Sequence, residues 1–102
     1  MWHDENIHEI YDWASFTVNT ATTNYDVKAN IAALFNNIPR AKGCVIQTDQ
    51  AISIRFNNTA YPAIALATAR QPGEWINKIS INNIYITNAS GSTATIAIML
   101  FL

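Results

Sequence analysis

Gly43-Cys44-Val45-Ile46-Gln47-Thr48-Asp49-Gln50-Ala51-Ile52-Ser53-Ile54-Arg55-Phe56 is the stretch whose reading decides the fold. Two apolar runs, 43–47 and 52–56, flank a short polar connection. In the second run Ile52, Ile54 and Phe56 alternate with Ser53, Arg55 and Asn57. That period of two turns every other side chain inward on a β-strand. The segment predicts a β-hairpin with Ile52, Ile54 and Phe56 facing a core.

Outward from it, towards the C-terminus, Asn57 to Pro62 has loop composition and Ala63 to Thr68 is a further short strand. Gln71-Pro72-Gly73 reads as a breaker. Trp75 to Ile81 and Ile84 to Thr87 are strands separated by Asn82-Asn83. The second of them feeds Asn88-Ala89-Ser90-Gly91-Ser92 and a last strand, Thr93 to Leu102, in what reads as another hairpin. In that last strand Ala94, Ile96, Ile98, Leu100 and Leu102 form one apolar face, and Ala97, Met99 and Phe101 make the other apolar too. A strand apolar on both sides is either central in a sandwich or buried between subunits.

Towards the N-terminus, Ile31-Ala32-Ala33-Leu34-Phe35 has helix-forming alanines and is closed by Asn36-Asn37 before Pro39. It predicts one short helical insertion. Tyr25 to Ala29 is a strand and Thr20 to Asn24 a turn. In the strand before it, Trp13, Ser15, Thr17 and Asn19 alternate with Ala14, Phe16, Val18 and Thr20. Residues 4–12 place Ile7, Ile10 and Tyr11 at helical spacing. About seven or eight short, mostly antiparallel strands predict an all-β protein, an antiparallel β-sandwich of jelly-roll-like character. The 15 isoleucines, largely at alternating positions, supply its core. The chain divides into an N-terminal acidic and aromatic arm, residues 1–12, and a single β-sandwich domain, residues 13–102.

Composition narrows the function. A chain of 102 residues, 50% hydrophobic and 13% charged, is the length of one globular domain and not of a two-domain enzyme. Neither long apolar run, 63–67 or 96–102, approaches the roughly 20 residues of a membrane helix, so no membrane partner is expected. The first residues, Met1-Trp2-His3-Asp4-Glu5, do not read as a secretory signal. A net charge of −1 lacks the footprint of a nucleic-acid binder. Charge placement says more than the total. Residues 1–26 hold five acids and no Lys or Arg, whereas residues 27–102 hold six bases and two acids. Trp2, Ile7, Ile10, Tyr11 and Trp13 add apolar bulk to that acidic segment. The arm is therefore expected to dock, on its own body or on a neighbouring subunit.

No catalytic, cofactor or metal site is expected. His3, Asp4, Glu5, His8, Glu9 and Asp12 offer ligand chemistry, and Asp4, His8 and Asp12 share one side of a helix if one forms. A chain terminus supplies little of the supporting shell that a metal needs, so a solvated or interface-paired acidic face is the plainer reading. Cys44 beside Val45 and Ile46 reads as a small buried hydrophobe, and a single Cys makes no internal disulfide. Asp49 and Glu74 have nothing to bring them together as a carboxylate pair. The three scattered glycines make no phosphate loop. Trp2, Trp13, Trp75, Tyr25, Tyr61 and Tyr85 are suited to stacking on sugars, and equally to interfaces and cores. Asn57-Asn58-Thr59 and Asn88-Ala89-Ser90 match glycosylation acceptors but read better as turns.

Ile46-Gln47-Thr48-Asp49-Gln50-Ala51-Ile52-Ser53-Ile54-Arg55-Phe56-Asn57-Asn58-Thr59 resembles a recurring segment of small virion proteins of tailed bacteriophages. So does Ile84-Tyr85-Ile86-Thr87-Asn88-Ala89-Ser90-Gly91-Ser92-Thr93-Ala94-Thr95-Ile96, which leads there into an apolar C-terminal strand. The resemblance covers about residues 17–102 and is one of texture and short motifs. It implies a non-enzymatic virion structural protein assembled in the host bacterial cytoplasm. Its place would be the capsid exterior, as a decoration or cement protein, or alternatively the head–tail connector or the tail. The implied partners are the major capsid protein or other virion proteins, and further copies of the chain in a trimer or dimer. The expected interface residues are Trp2, Ile7, Ile10, Tyr11, Trp13, Met99 and Phe101. A glycan-binding β-sandwich module for host adsorption is the alternative from another class. Deleting residues 1–12 is expected to abolish attachment without unfolding the body.

Overall fold

The structure, a computed structural model, describes residues 11–102, and over residues 69–75 the backbone alone. Eight strands and one helical turn follow in order: β1 Tyr11–Val18, β2 Thr22–Asp26, α1 Val27–Asn30, β3 Ala41–Thr48, β4 Ile52–Phe56, β5 Ile64–Leu66, β6 Ala69–Ile81, β7 Ile84–Asn88 and β8 Ala94–Phe101. They form two four-stranded sheets, ordered β1-β8-β3-β6 and β2-β7-β4-β5, with antiparallel pairing throughout.

Pairing explains that order. Strand β1 pairs with β8, β2 with β7, β3 with β6 and β4 with β5, as in one long hairpin folded at the β4–β5 loop. Rolling the hairpin up adds the β3–β8 and β4–β7 pairs. This is the eight-stranded, doubly Greek-keyed jelly roll. Between the sheets lies a continuous core, with Val18, Ile46, Ile54, Ile81, Ile84, Ile86, Ile96, Ile98 and Leu100 almost wholly removed from water. The all-β sandwich expected from alternation is the observed architecture.

Both hairpins expected from sequence are corners instead. Strands β3 and β4 belong to different sheets, and so do β7 and β8; among the described strands only β4 and β5 pair with their sequence neighbour. At the first corner Asp49 keeps the chain paired to β8 after β3 ends. Its N–H donates to the Thr95 carbonyl at 3.3 Å, and its Oδ1 accepts from the Thr95 N–H at 2.8 Å. The chain then turns across the sandwich, delivering Ile52, Ile54 and Phe56 inward from the opposite sheet. At the second corner Asn88, fully buried, donates through Nδ2 to the Val18 and Ser92 carbonyls, and its Oδ1 accepts from the N–H and hydroxyl of Ser90. Gly91, with φ of 89°, makes the turn there.

The helix moves too. Asp26 ends β2 and caps α1, its side chain accepting from the Ala29 N–H at 3.0 Å, so helical backbone falls on 27–30 and not 31–35. Residues 31–35 are irregular, because Leu34 and Phe35 turn into the core and Phe35 adopts φ of 59°. Thr22 to Asn24, expected as a turn, are strand, and the turn is Thr20–Ala21. Strand β6 runs through Gln71-Pro72-Gly73, which was expected to break the chain. As an edge strand it tolerates proline, and its register with β3 shifts between Ile46↔Glu74 and Thr48↔Ala69 to take up the extra residues.

Among the described residues β1 runs from Tyr11, so Tyr11 and Asp12, which the sequence reading placed in the arm, are strand residues of the sandwich. Asp12 is in phase with Ala14 and Val18 on the inner side and only 3% exposed. Its Oδ2 accepts from the backbone N–H groups of Asn36 at 2.9 Å and of Asn37 and Ile38 at 3.1 Å. Its Oδ1 accepts from Asn37 Nδ2 at 3.0 Å. Four donors around one carboxylate fix the 34–38 loop over the end of the core.

Candidate functional site

The outer face of the β1-β8-β3-β6 sheet carries the feature least suited to water. Register aligns Trp13 on β1 with Met99 on β8 and Val45 on β3, in one row across the strands. The next row is Ser15, Ala97 and Gln47. Trp13, Val45, Gln47, Ala97 and Met99 together line a shallow depression of about 160 Å³. Trp13 is 55% exposed, and Tyr11, one row away on the same strand face, is 54% exposed. Large aromatics left out of a core that is otherwise well filled are typical anchors of protein interfaces.

Of the interface residues expected from sequence, Tyr11, Trp13 and Met99 come together on this face. Phe101 shares the face by register but is 6% exposed, buried in the chain's own body. Its ring lies over Gly43, where an added Cβ would come within 2.8 Å of the ring and of the Ile76 carbonyl. The alternation that put Phe101 outward was correct, but a bare glycine opposite lets the ring lie flat on the sheet. Trp2, Ile7 and Ile10 lie outside the described residues, as do the side chain of Trp75 and the ligand candidates His3, Asp4, Glu5, His8 and Glu9. Sequence missed Val45 and Gln47, whose outward parity was legible only once Cys44 and Ile46 were known to point inward.

Asp12 does not serve a metal, since its oxygens are occupied by N–H donors. Among the described residues no group of three or more His, Cys, Asp or Glu is placed to hold a metal ion. Every buried side-chain nitrogen or oxygen among them has a hydrogen-bond partner. The asparagines that read as turns are structural. Asn57 Oδ1 accepts from the Asn82 N–H at 2.7 Å and its Nδ2 donates to the Ser80 carbonyl. Asn83 Oδ1 accepts from the Lys28 N–H while its Nδ2 donates to Asp26 Oδ1 at 2.9 Å. Neither Asn57 nor buried Asn88 presents a free amide for glycosylation.

Cys44, fully buried on β3, is chemically quiet. Burial pushes its thiol up from 9.0 to about 12, so no thiolate forms near neutral pH. Above pH about 9 the unfolded chain releases a proton that the folded chain retains, so this residue's contribution to stability falls as pH rises. Against Cys44→Ala, the native chain is expected to lose up to about 1.4 kcal/mol per pH unit between about pH 9 and 12. Urea midpoints of the two chains over the accessible part of that range check it; parallel curves would contradict it.

A second concavity, of about 340 Å³, is lined by Arg40, Lys42, Lys78, Ile79 and Ser80. It lies where the β3–β6 register jumps from Gly43↔Asn77 to Ala41↔Ile81. Lys78, with φ of 60°, sits in the resulting bulge, and Arg40 Nη1 donates to Ser80 Oγ at 2.8 Å. Comparison of the chain with protein-family models, curated proteins and solved structures finds no match.

Proposed function

We propose that this protein is a non-enzymatic structural subunit of a bacteriophage virion, a decoration or cement protein of the capsid exterior whose subunit–subunit contacts are made through the outer face of its β1-β8-β3-β6 sheet. The observation that carries the reading is the Trp13–Met99–Val45 row, with Tyr11 beside it, on the outer face of a four-stranded sheet. Covering such a row with protein removes apolar surface from water at about 25 cal/mol per Å², and repetition over a lattice multiplies weak contacts. The jelly roll supports it as analogy only, because the topology serves viral shells, lectins and cupins alike. The motifs at 46–59 and 84–96 supply the phage assignment.

Gold-labelled antibody on particles purified from cultures producing the chain tests this. Label over the capsid surface is expected, label at the neck or tail moves the subunit to the connector or tail, and particles free of label overturn the virion reading. The exposed pair Tyr11 and Trp13, beside the polar side chains of Gln47 and Ser15, favours a glycan platform as the second reading. Retention on a polysaccharide column that Trp13→Ala abolishes would establish that one.

A further inference from the structure

We propose that two copies associate through the outer faces of their β1-β8-β3-β6 sheets, about a two-fold axis running along the strands. In this arrangement the acidic residues 1–10 of each copy seat in the basic recess formed by Arg40, Lys42 and Lys78 of the other. The proposal rests on the reading of that face as an interface and adds its geometry and its second anchoring point.

Three observations converge on it. First, the described residues that line the recess include three bases and no acid. All three basic side chains are exposed, and the Arg40 guanidinium is held by Ser80. Secondly, residues 1–10 contain Asp4, Glu5 and Glu9 and no Lys or Arg. This matches the recess charge for charge. Ten extended residues reach at most about 33–36 Å. Thirdly, register fixes where Tyr11, the residue that follows the segment, stands in the sheet. Tyr11 pairs with Phe101, Phe101 with Gly43 and Gly43 with Asn77, so the start of β1 and the recess lie at the same end. They are three strands apart, about 14 Å at the usual strand spacing.

Symmetry does the rest. A two-fold axis parallel to the strands, between β8 and β3, lays one copy's β1 over the other's β6 and its β8 over the other's β3, with matching ends together. Met99 then faces the second copy's Val45, so the apolar row covers itself, as an isologous interface requires. The same operation brings each leading segment to the second copy's Lys78. A two-fold axis across the strands also superposes the apolar rows, but it carries the segment to the opposite end, where Thr17 and Thr95 pair. Charge placement therefore selects between two arrangements that apolar burial leaves equivalent.

The test is a charge exchange on the full chain, read by sedimentation equilibrium at low salt. One variant reverses the segment (Asp4→Lys, Glu5→Lys, Glu9→Lys), and another reverses the recess (Arg40→Glu, Lys42→Glu, Lys78→Glu). Each alone is expected to dimerise at least tenfold more weakly than the native chain, and an equimolar mixture is expected to recover dimers. Far-ultraviolet circular dichroism checks that each remains β-folded, and a neutral recess (Arg40→Gln, Lys42→Gln, Lys78→Gln) is expected to give an intermediate loss. Native dimers that both reversed variants reproduce would overturn the recess while leaving the interface. Weakened variants that do not complement on mixing would overturn docking between copies. A native chain that stays monomeric would overturn the interface reading itself.

Discussion

Asp12→Ala is expected to lower folding stability by at least about 3 kcal/mol, the largest effect of any single polar substitution in the sandwich. The carboxylate accepts from the backbone N–H groups of Asn36, Asn37 and Ile38 and from Asn37 Nδ2. With Ala these donors lose their acceptor, and a buried unsatisfied donor costs about 1–3 kcal/mol. The 34–38 loop that carries Leu34, Phe35 and Ile38 into the core would lose its anchor. For a domain of this size the melting temperature should fall by 10 °C or more, taking about 4–8 °C per kcal/mol. Asn37→Ala, which removes one exposed donor and keeps the backbone contacts, should cost well under half as much. A melting point for Asp12→Ala within about 2 °C of the native chain would contradict the cradle. The same geometry revises the truncation suggested by sequence. Removing residues 1–12 takes the carboxylate with it and is expected to unfold the body, whereas removing residues 1–10 spares it.

Replacing Trp13 and Met99 together by Asp is expected to weaken self-association by at least about 100-fold, or about 2.7 kcal/mol. Aromatic anchors carry much of an interface's energy, and two carboxylates introduced on facing apolar rows would be desolvated without partners. Trp13 is 55% exposed and Met99 half-buried on an outer strand face, so the fold should tolerate the change far better than it tolerates Asp12→Ala. Association constants from sedimentation, measured beside thermal melts, separate the two effects. Unaltered association would show that some other surface joins the copies.

The strands were legible because period-two alternation is a local property. Ile52, Ile54 and Phe56, and likewise Ile96, Ile98 and Leu100, point inward as their spacing required. Their partners were not legible. A short polar connection such as Thr48-Asp49-Gln50-Ala51 serves equally as a hairpin turn or as a corner between sheets. What decides is the bond that Asp49 makes to Thr95, 46 residues away in sequence. The helical turn was misplaced for a related reason: alanine propensity at 32–33 is worth less than the Asp26 cap and the pull of Leu34 and Phe35 into the core.

The candidate site was half legible. Trp13 was singled out for its bulk and Met99 for making the second face of the last strand apolar, and register makes them neighbours. Phe101 lies on the face that alternation gave it, and its contact with Gly43, on another strand, was not legible. Asp12 was read as one more charge in an acidic arm. A sharper reading was available, because it stands in phase with Ala14 and Val18, and an acid on the buried side of a strand announces a cluster of donors elsewhere in the chain.

On the reading proposed above, this chain works by burying the outer face of one sheet against a second copy of itself. Sedimentation equilibrium of the unmodified full chain, over a roughly hundredfold range of concentration, tests it most directly. A mass that rises with concentration from the 11.3 kDa of one chain to twice that value is the predicted result. A mass that stays at 11.3 kDa throughout, with Trp13 open to solvent at every concentration, would contradict it.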